Sequence, residues 1–338
     1  MEFSTSDLVL NLARLHDRDG ILDITKGEEL WGGLDYLPFA LKPWLQEGED
    51  EQSNRRNLVF TIHEKIVGFM SIYFQNGGKD CVKFAFRVSK IIRGKGFGKQ
   101  ITALVGNYLR ENFPNLETSI SAIPDVDLSD EEIISPKHGN LLSVKSVLVY
   151  RIRMKSINIH EIEEDECKIV TKEEFAGVLR TKERTENLLE CNLVHMNWVP
   201  VILETEQDIE FATRKNQVVL LKGSLDFPTS FSVFTLPYSV PNGNTRASID
   251  IFANAGDDVK QHIRHQMKLF DQREKLVSTK GESMLSIIVA QDMVEATVEA
   301  MELLGLQKFK FVNGSQKRDV SNMYLYQKQV KLCEVGLV

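Results

Sequence analysis

The stretch Arg93-Gly94-Lys95-Gly96-Phe97-Gly98-Lys99 decides how this chain is read. Before it lies an apolar run, Val82-Lys83-Phe84-Ala85-Phe86-Arg87-Val88, whose composition predicts a strand. After it, Lys99 to Arg110 predicts a helix, with Ile101, Leu104, Val105, Tyr108 and Leu109 on one face. Three glycines and three cations therefore stand at a strand-to-helix junction. Such a junction offers backbone N–H groups without helical partners and the positive end of a helix dipole, and both attract phosphate. Gly96 and Gly98 remove side chains where a backbone must come close to a ligand. Arg93, Lys95 and Lys99 can neutralise its charge. The spacing is neither the dinucleotide pattern G-x-G-x-x-G nor the P-loop pattern G-x-x-x-x-G-K-[ST]. It is R-x-x-G-x-G. Taken without its flanks, the turn also reads as an ordinary glycine-rich loop.

Toward the N-terminus, Leu8 to Ala13 predicts a first strand, and Asp17 a cap for a helix beginning near Arg18. The segment from Trp31 to Phe39, with Trp44 beyond it, mixes aromatics, glycines, a proline and one acid without a period. It fits a binding loop, or a set of core aromatics at a helix junction. Glu47 to Arg56 is charged and reads as an exposed turn. Leu58 to His63 and Ile66 to Phe74 form a hairpin around Glu64-Lys65, and Asn76-Gly77-Gly78 turns the chain into the strand that ends at Val88. Beyond the helix, Thr118 to Ile123 and Leu141 to Arg153 read as strands, separated by an acidic stretch. The resulting order is strand, helix, three strands, turn, helix, strand, strand. A doubly wound dinucleotide domain would alternate strand and helix from its start, so this is a mixed α/β (α+β) sheet.

The second half repeats the plan. Cys167 to Thr171 reads as a strand, Lys172 to Leu189 as a helix, and Val199 to Leu203 and Gln217 to Lys222 as strands. Phe231 to Leu236 leads into a turn-rich link at Pro237, Pro241 and Asn242-Gly243. Then come the strand Arg246 to Phe252, the helix Asp257 to Arg273, the strand Met284 to Ala290 and the helix Met293 to Leu304. Phe309 to Val312 and Met323 to Val330 read as closing strands. Two domains are expected, residues 1–155 and 156–338. At the matching junction, Ala253-Asn254-Ala255-Gly256-Asp257-Asp258 has two acids where the first copy has cations, which repels phosphate. The second domain is expected to be a degenerate copy.

A chain of 338 residues exceeds one ordinary core, with 42% hydrophobic and 26% charged residues, as in a water-soluble protein. The net charge of −7 argues against nucleic acid or an anionic membrane as the main partner. Cys81, Cys167, Cys191 and Cys333 are scattered and fit free thiols in a reducing compartment. No metal-ligand spacing is present. Met1 to Leu15 is too polar for a signal peptide, so a cytoplasmic protein is expected.

R-x-x-G-x-G after a hairpin meander resembles the acetyl-CoA-binding motif of the GNAT superfamily of N-acetyltransferases. The resemblance implies that Phe86, Arg87 and Val88 hold the pantetheine arm by backbone bonds. It implies a pyrophosphate site on Arg93, Gly94, Lys95, Gly96, Phe97, Gly98 and Lys99, and tandem GNAT-like domains. A closer likeness is to the histidine N-acetyltransferase family of animals. It is carried by Gly33-Leu34-Asp35-Tyr36-Leu37-Pro38 with Trp44, by Thr235-Leu236-Pro237-Tyr238 with Val240-Pro241, and by Ile249-Asp250-Ile251-Phe252. That likeness implies acetyl transfer from acetyl-CoA to the α-amino group of free histidine, with no metal.

Acetyl transfer needs a bound thioester, a neutral amine, a polarised carbonyl and a route for protons. Many GNAT members place an acid on the fourth strand and a tyrosine after the fifth. Here the strand offers only Asp80 at its start, and 124–140 has no tyrosine, so the proton-handling groups are unassigned; Tyr36 and His138 are candidates, the latter also readable as an exposed loop residue. For the substrate, Asp35 can bind an ammonium or imidazole N–H or merely cap a helix. Tyr36 can stack on an imidazole or fill the core. Arg87 can hold a carboxylate or end its strand, and Tyr238 can reach a site from the second domain. The alternatives are a non-catalytic acyl-CoA-binding protein, and an acetyltransferase for another amine or a protein N-terminus.

Overall fold

The computed structural model describes residues 4–25, 35–124, 140–152, 166–196, 198–213, 217–240, 243–277, 283–306, 311–313, 316–318 and 321–330. Its contacts divide the chain into two units, Met1–Ser121 with Gln327–Val338, and Ala122–Tyr326.

Unit 1 contains β1 (Leu8–Leu12), α1 (Arg18–Leu22), α2 (Leu37–Glu49), β2 (Arg55–Ile62), β3 (Lys65–Gln75), β4 (Asp80–Val88), α3 (Phe97–Asn112) and β5 (Thr118–Pro124). The strands run in the order β1-β2-β3-β4-β5. On one face, Phe97, Ile101, Val105 and Leu109 of α3 pack on Leu58, Phe60, Val67 and Ile72. On the other, Leu37, Leu41 and Leu45 of α2 join Ile21, Val59, Phe69 and Ala85. The strands alternate because each serves two helical layers.

α2 corrects the reading of 31–39 as an irregular binding loop and of 47–56 as an exposed turn, and it agrees with the alternative of core aromatics at a helix junction, since Tyr36 and Trp44 pack on this core. Pro38 falls in the first helical turn, where a missing N–H costs nothing. Pro43 sits inside the helix, yet the four-residue leucine spacing holds that turn on the core. Asp17 stands at the N-cap position of α1, but its carboxylate accepts from the Arg14 N–H (2.8 Å) instead of a helical one.

The decisive irregularity lies in β4. Phe69 pairs with Arg87 and Ser71 with Phe84, so Ala85 and Phe86 together face Met70. Ala85 adopts a φ of 54°, the left-handed region that one class of β-bulge uses. Among the described residues β4 pairs with parallel β5 only at Asp80↔Thr118, Cys81↔Ser119 and Val82↔Ile120. Past Val82 no described residue pairs with this edge of β4.

Unit 2 contains β6 (Asn140–Ile152), β7 (Lys168–Val170), α4 (Lys172–Arg180), α5 (Lys182–Thr185), β8 (Leu193–Met196), β9 (Val199–Ile202), α6 (Glu206–Ala212), β10 (Gln217–Gly223), β11 (Pro228–Val240), β12 (Asn244–Ala253), α7 (Gly256–Val277), β13 (Ser283–Ala290), α8 (Val294–Leu303), the short β14 (Phe311–Asn313) and β15 (Gln316–Arg318), and β16 (Ser321–Gln329). Its main sheet runs β16-β6-β13-β12-β11-β10-β7, and α7 and α8 cover a core built on Ile249, Ile251, Leu285 and Ile287. The helix expected over 172–189 breaks at Thr181, whose φ of −104° and ψ of 95° are extended. Pro237 lies inside β11, at a register shift between Thr235 and Tyr238, where its missing N–H breaks no ladder.

The boundary expected at 155/156 differs from the observed units. β6 pairs with β13 from Ser283↔Ile152 to Ala290↔Lys145, so its hydrogen bonds tie 140–152 to unit 2. The end of β16 returns to unit 1, where the Val330 N–H donates to the Glu117 carbonyl (2.8 Å).

Candidate functional site

Buried Ile92 and Phe97 anchor the two ends of the glycine turn. The Ile92 N–H donates to the Ser89 carbonyl, and Arg93 Nε donates to the Val88 carbonyl (2.8 Å), which fastens the turn to the end of β4. Gly96 forms the N-cap of α3 at φ 82°, and Gly94 has φ 73°; both conformations disfavour a side chain. Gly98 is different. Its φ is not left-handed, and a Cβ added there would meet nothing within 4 Å. Among the described residues nothing requires glycine at the second position of this helix. A ligand lying on the first-turn N–H groups would require it.

A cleft of about 380 Å³ opens here, lined by Phe86 and Val88 of β4, by Ile92 and Arg93, and by Gly94, Gly96, Phe97 and Gly98. Seven of the ten residues expected to hold the donor are thus brought together. Lys95 and Lys99 are exposed on the turn without lining the cleft, and Arg87 points elsewhere.

Arg87 belongs to a second group, on the α2 face of the sheet. Its Nη2 donates to Asp35 Oδ1 at 3.0 Å, and its guanidinium lies 5.5 Å from the centre of the Tyr36 ring. Asp35 is 3% exposed, and the same Oδ1 accepts from the Leu37 N–H at 3.2 Å. Capping and ion pairing therefore coexist in one carboxylate. Three of the four substrate candidates, fifty residues apart in sequence, meet here. Tyr238 lies in unit 2 on β11, opposite Arg246. Asp80 is buried: its Oδ2 accepts from Asn76 Nδ2 and its Oδ1 from the Thr118 hydroxyl, a brace for the start of β4 and β5. His138, Trp31, Gly33 and Leu34 lie outside the described residues, as do Pro241, Asn242 and 309–310.

Arg55 was read as part of an exposed charged turn, and the structure buries it to 1% exposure. Its Nε donates to Glu47 (2.8 Å) and its Nη1 to Ser71 (3.1 Å). Its guanidinium lies 4.8 Å from the Trp44 ring, 5.2 Å from Phe84 and 5.8 Å from Tyr73. Burial pulls the guanidinium below its usual pKa, with Glu47 opposing. Trp44 in turn packs against Tyr36, 6.0 Å between ring centres. The alternation of Arg55, Asn57 and Val59 along β2 was the signal that a charged neighbourhood hid.

The second copy of the turn is filled by protein. A Cβ at Gly256 would stand 3.0 Å from Ala296 of α8, and Asn254 Nδ2 donates to the Asn187 carbonyl. Asp258 holds Lys222 at 2.8 Å. β12 and β13 stay paired in parallel from Thr245↔Ser283 to Asp250↔Ile288, whereas the described pairing of β4 with β5 ends at Val82.

Comparison with known proteins agrees with this geometry. The family model for the C-terminal part of histidine N-acetyltransferase matches residues 163–289. The histidine N-acetyltransferase of Oreochromis niloticus is 22% identical over 316 residues, covering 88% of each chain. This chain has a GNAT-like fold and is similar in sequence to the histidine N-acetyltransferases. Among solved structures, a tandem GNAT protein from the clavulanic acid biosynthesis pathway superposes with a TM-score of 0.56 at 10% identity. It covers 96% of this chain and 99% of its own. The N-myristoyltransferase of Saccharomyces cerevisiae, solved with bound myristoyl-CoA, superposes with a TM-score of 0.55 at 10% identity, covering 96% and 80%. Among the described residues no group of three or more metal-ligating side chains is found, and no helix is long and apolar enough to cross a membrane.

Proposed function

We propose that the protein transfers acetyl from acetyl-CoA to the α-amino group of a free amino acid, L-histidine being the acceptor that its relatives' names point to. The observation that carries the donor half is Gly98, a helical glycine with open space where its Cβ would be. In this reading the N–H groups from Gly94 to Lys99 receive the pyrophosphate, with Arg93, Lys95 and Lys99 supplying positive charge. The edge of β4 from Phe86 to Val88 takes the pantetheine amides as a pairing strand would. An acyl-CoA bound in the myristoyltransferase of the same fold supports that use of the cleft.

The transfer requires no covalent enzyme intermediate. The acceptor ammonium loses one proton, its nitrogen bonds the thioester carbon and gives up a second proton, the C–S bond breaks, and the departing sulfur takes up one proton, so that one is released overall. Holding amine and thioester together is worth up to about 7–11 kcal/mol for an ideal pair. Cys81 is no competing nucleophile, because burial pushes its thiol up to about 11. Asp80 is no base either, since both its oxygens brace the sheet. Tyr36, whose ring lies 5.5 Å from the Arg87 guanidinium, is the described candidate for handling a proton here.

A continuous thiol-release assay with acetyl-CoA and the free amino acids tests the reading. Turnover with histidine is expected. Tight acetyl-CoA binding with no turnover on any amine would favour a non-catalytic acyl-CoA-binding protein instead.

A further inference from the structure

We infer that Arg87 reads the acceptor's carboxylate, so that the site accepts free amino acids and discriminates against the same amines lacking a carboxylate. The inference rests on the acetyltransferase reading above. It starts from the hydrogen-bond capacity of one side chain. A guanidinium carries five N–H donors in a rigid fork. Arg87 uses Nη2 on Asp35 (3.0 Å) and makes a long contact from Nη1 to the Phe86 carbonyl (3.4 Å). Its Nε is enclosed and has no partner among the described residues. Buried donors are nearly always satisfied, so an open one calls for an explanation, and a ligand that completes the set supplies it. The side chain keeps 12% exposure, so a window onto the guanidinium remains.

The surroundings select the ligand. Tyr36 lies against the guanidinium and fixes its plane. Asp35 neutralises most of one charge, which keeps the site from binding multiply charged anions indiscriminately, while a single planar carboxylate still matches the free donors. Arg87 follows Phe86 in β4, and Phe86, 45% exposed, lines the donor cleft. Successive strand residues point to opposite faces. The guanidinium and the donor cleft thus share the same stretch of β4 past Val82. In an α-amino acid the nucleophilic nitrogen is one carbon away from the carboxylate carbon. Anchoring that carboxylate on Arg87 keeps the amine beside the strand edge where the thioester would lie. A peptide N-terminus has no carboxylate there.

The test compares L-histidine with L-histidinamide and histamine in the thiol-release assay, on the wild type and on Arg87→Gln and Arg87→Lys. The wild type is expected to favour histidine 10- to 100-fold in kcat/KM, the range of a charge-assisted bond lost. Arg87→Gln should bring that ratio near one, raise the histidine KM and leave the acetyl-CoA KM within twofold. Arg87→Lys, which keeps the charge but not the fork, should restore part of the ratio. Equal kcat/KM for the three acceptors in the wild type would overturn the inference while leaving the acetyltransferase reading intact, and needs no variant to fold. No turnover with any of the three, nor with the other amino acids, would overturn both.

Discussion

Replacing Gly98 by alanine separates a functional glycine from a structural one. Within the protein the change is favourable. Gly98 is helical, its Cβ would meet no atom within 4 Å, and Gly-to-Ala in a helix gains about 0.5–1 kcal/mol. For a domain of this size that gain raises the melting temperature by about 1–4 °C. Acetyl-CoA binding should move the other way. The added methyl stands over N–H groups that carry the pyrophosphate in the proposed complex. Losing one charge-assisted hydrogen bond costs about 1.5–3 kcal/mol, or a Kd roughly 10- to 150-fold higher. Differential scanning calorimetry on the free protein and calorimetric titration with acetyl-CoA give the two numbers. A higher melting temperature with an unchanged Kd would refute the reasoning, because the space above Gly98 would then hold no phosphate. A lower melting temperature would show that the space is not open.

Other substitutions probe separate parts. Arg55→Met keeps the packing between Trp44, Tyr73 and Phe84 but removes the cation and its bonds to Glu47 and Ser71; urea unfolding should show a loss of about 1–3 kcal/mol. Ala85→Val puts a β-branched residue at φ 54°, and both stability and acetyl-CoA affinity should fall, whereas Ala85→Gly should leave the affinity unchanged in the same titration. Asp35→Ala removes the carboxylate that holds the Arg87 guanidinium in place, so the amine KM should rise at least fivefold with little change for acetyl-CoA; equal rises would make Asp35 a structural residue. His262 is fully buried, bonded through its ring nitrogens to Ser232 (3.0 Å) and Ser230 (2.9 Å), and burial holds it down to about 4. Its folded pKa lies below its unfolded value, so its contribution is complete above about pH 6.5 and lost as pH falls toward 4, a total on the order of 3 kcal/mol. His262→Gln should remove that part of the pH dependence of urea stability between pH 7.5 and 4.5.

The sequence carried the glycine turn well because its signals are local. Strand, turn and helix follow one another, and R-x-x-G-x-G fixes the spacing. The tandem plan was legible for a similar reason, since β4-turn-α3 and β12-turn-α7 repeat one order at one interval. Three features were not legible. α2 was hidden by Pro38 and Pro43, residues that end most helices but here fall in the first turn and on an exposed position. Arg55 was hidden by its charged neighbours, because only the pairing Arg55↔Tyr73 sets it under the aromatic layer. The placement of β6 depends on pairing with β13, more than a hundred residues away. Asp35, Tyr36 and Arg87 were each named from sequence, yet their meeting is a product of the β4 bulge, and nothing in Ala85 announces a positive φ.

The central claim is that the cleft at Gly94–Lys99 delivers acetyl-CoA to an amino acid held on the α2 face. Its most direct measurement is the release of free CoA from acetyl-CoA in the presence of L-histidine, with N-acetylhistidine identified by mass. The account predicts equal amounts of the two products, and loss of both with Gly96→Trp, which blocks the turn. Undiminished product formation by that variant, or none by the wild type with any free amino acid, would contradict it.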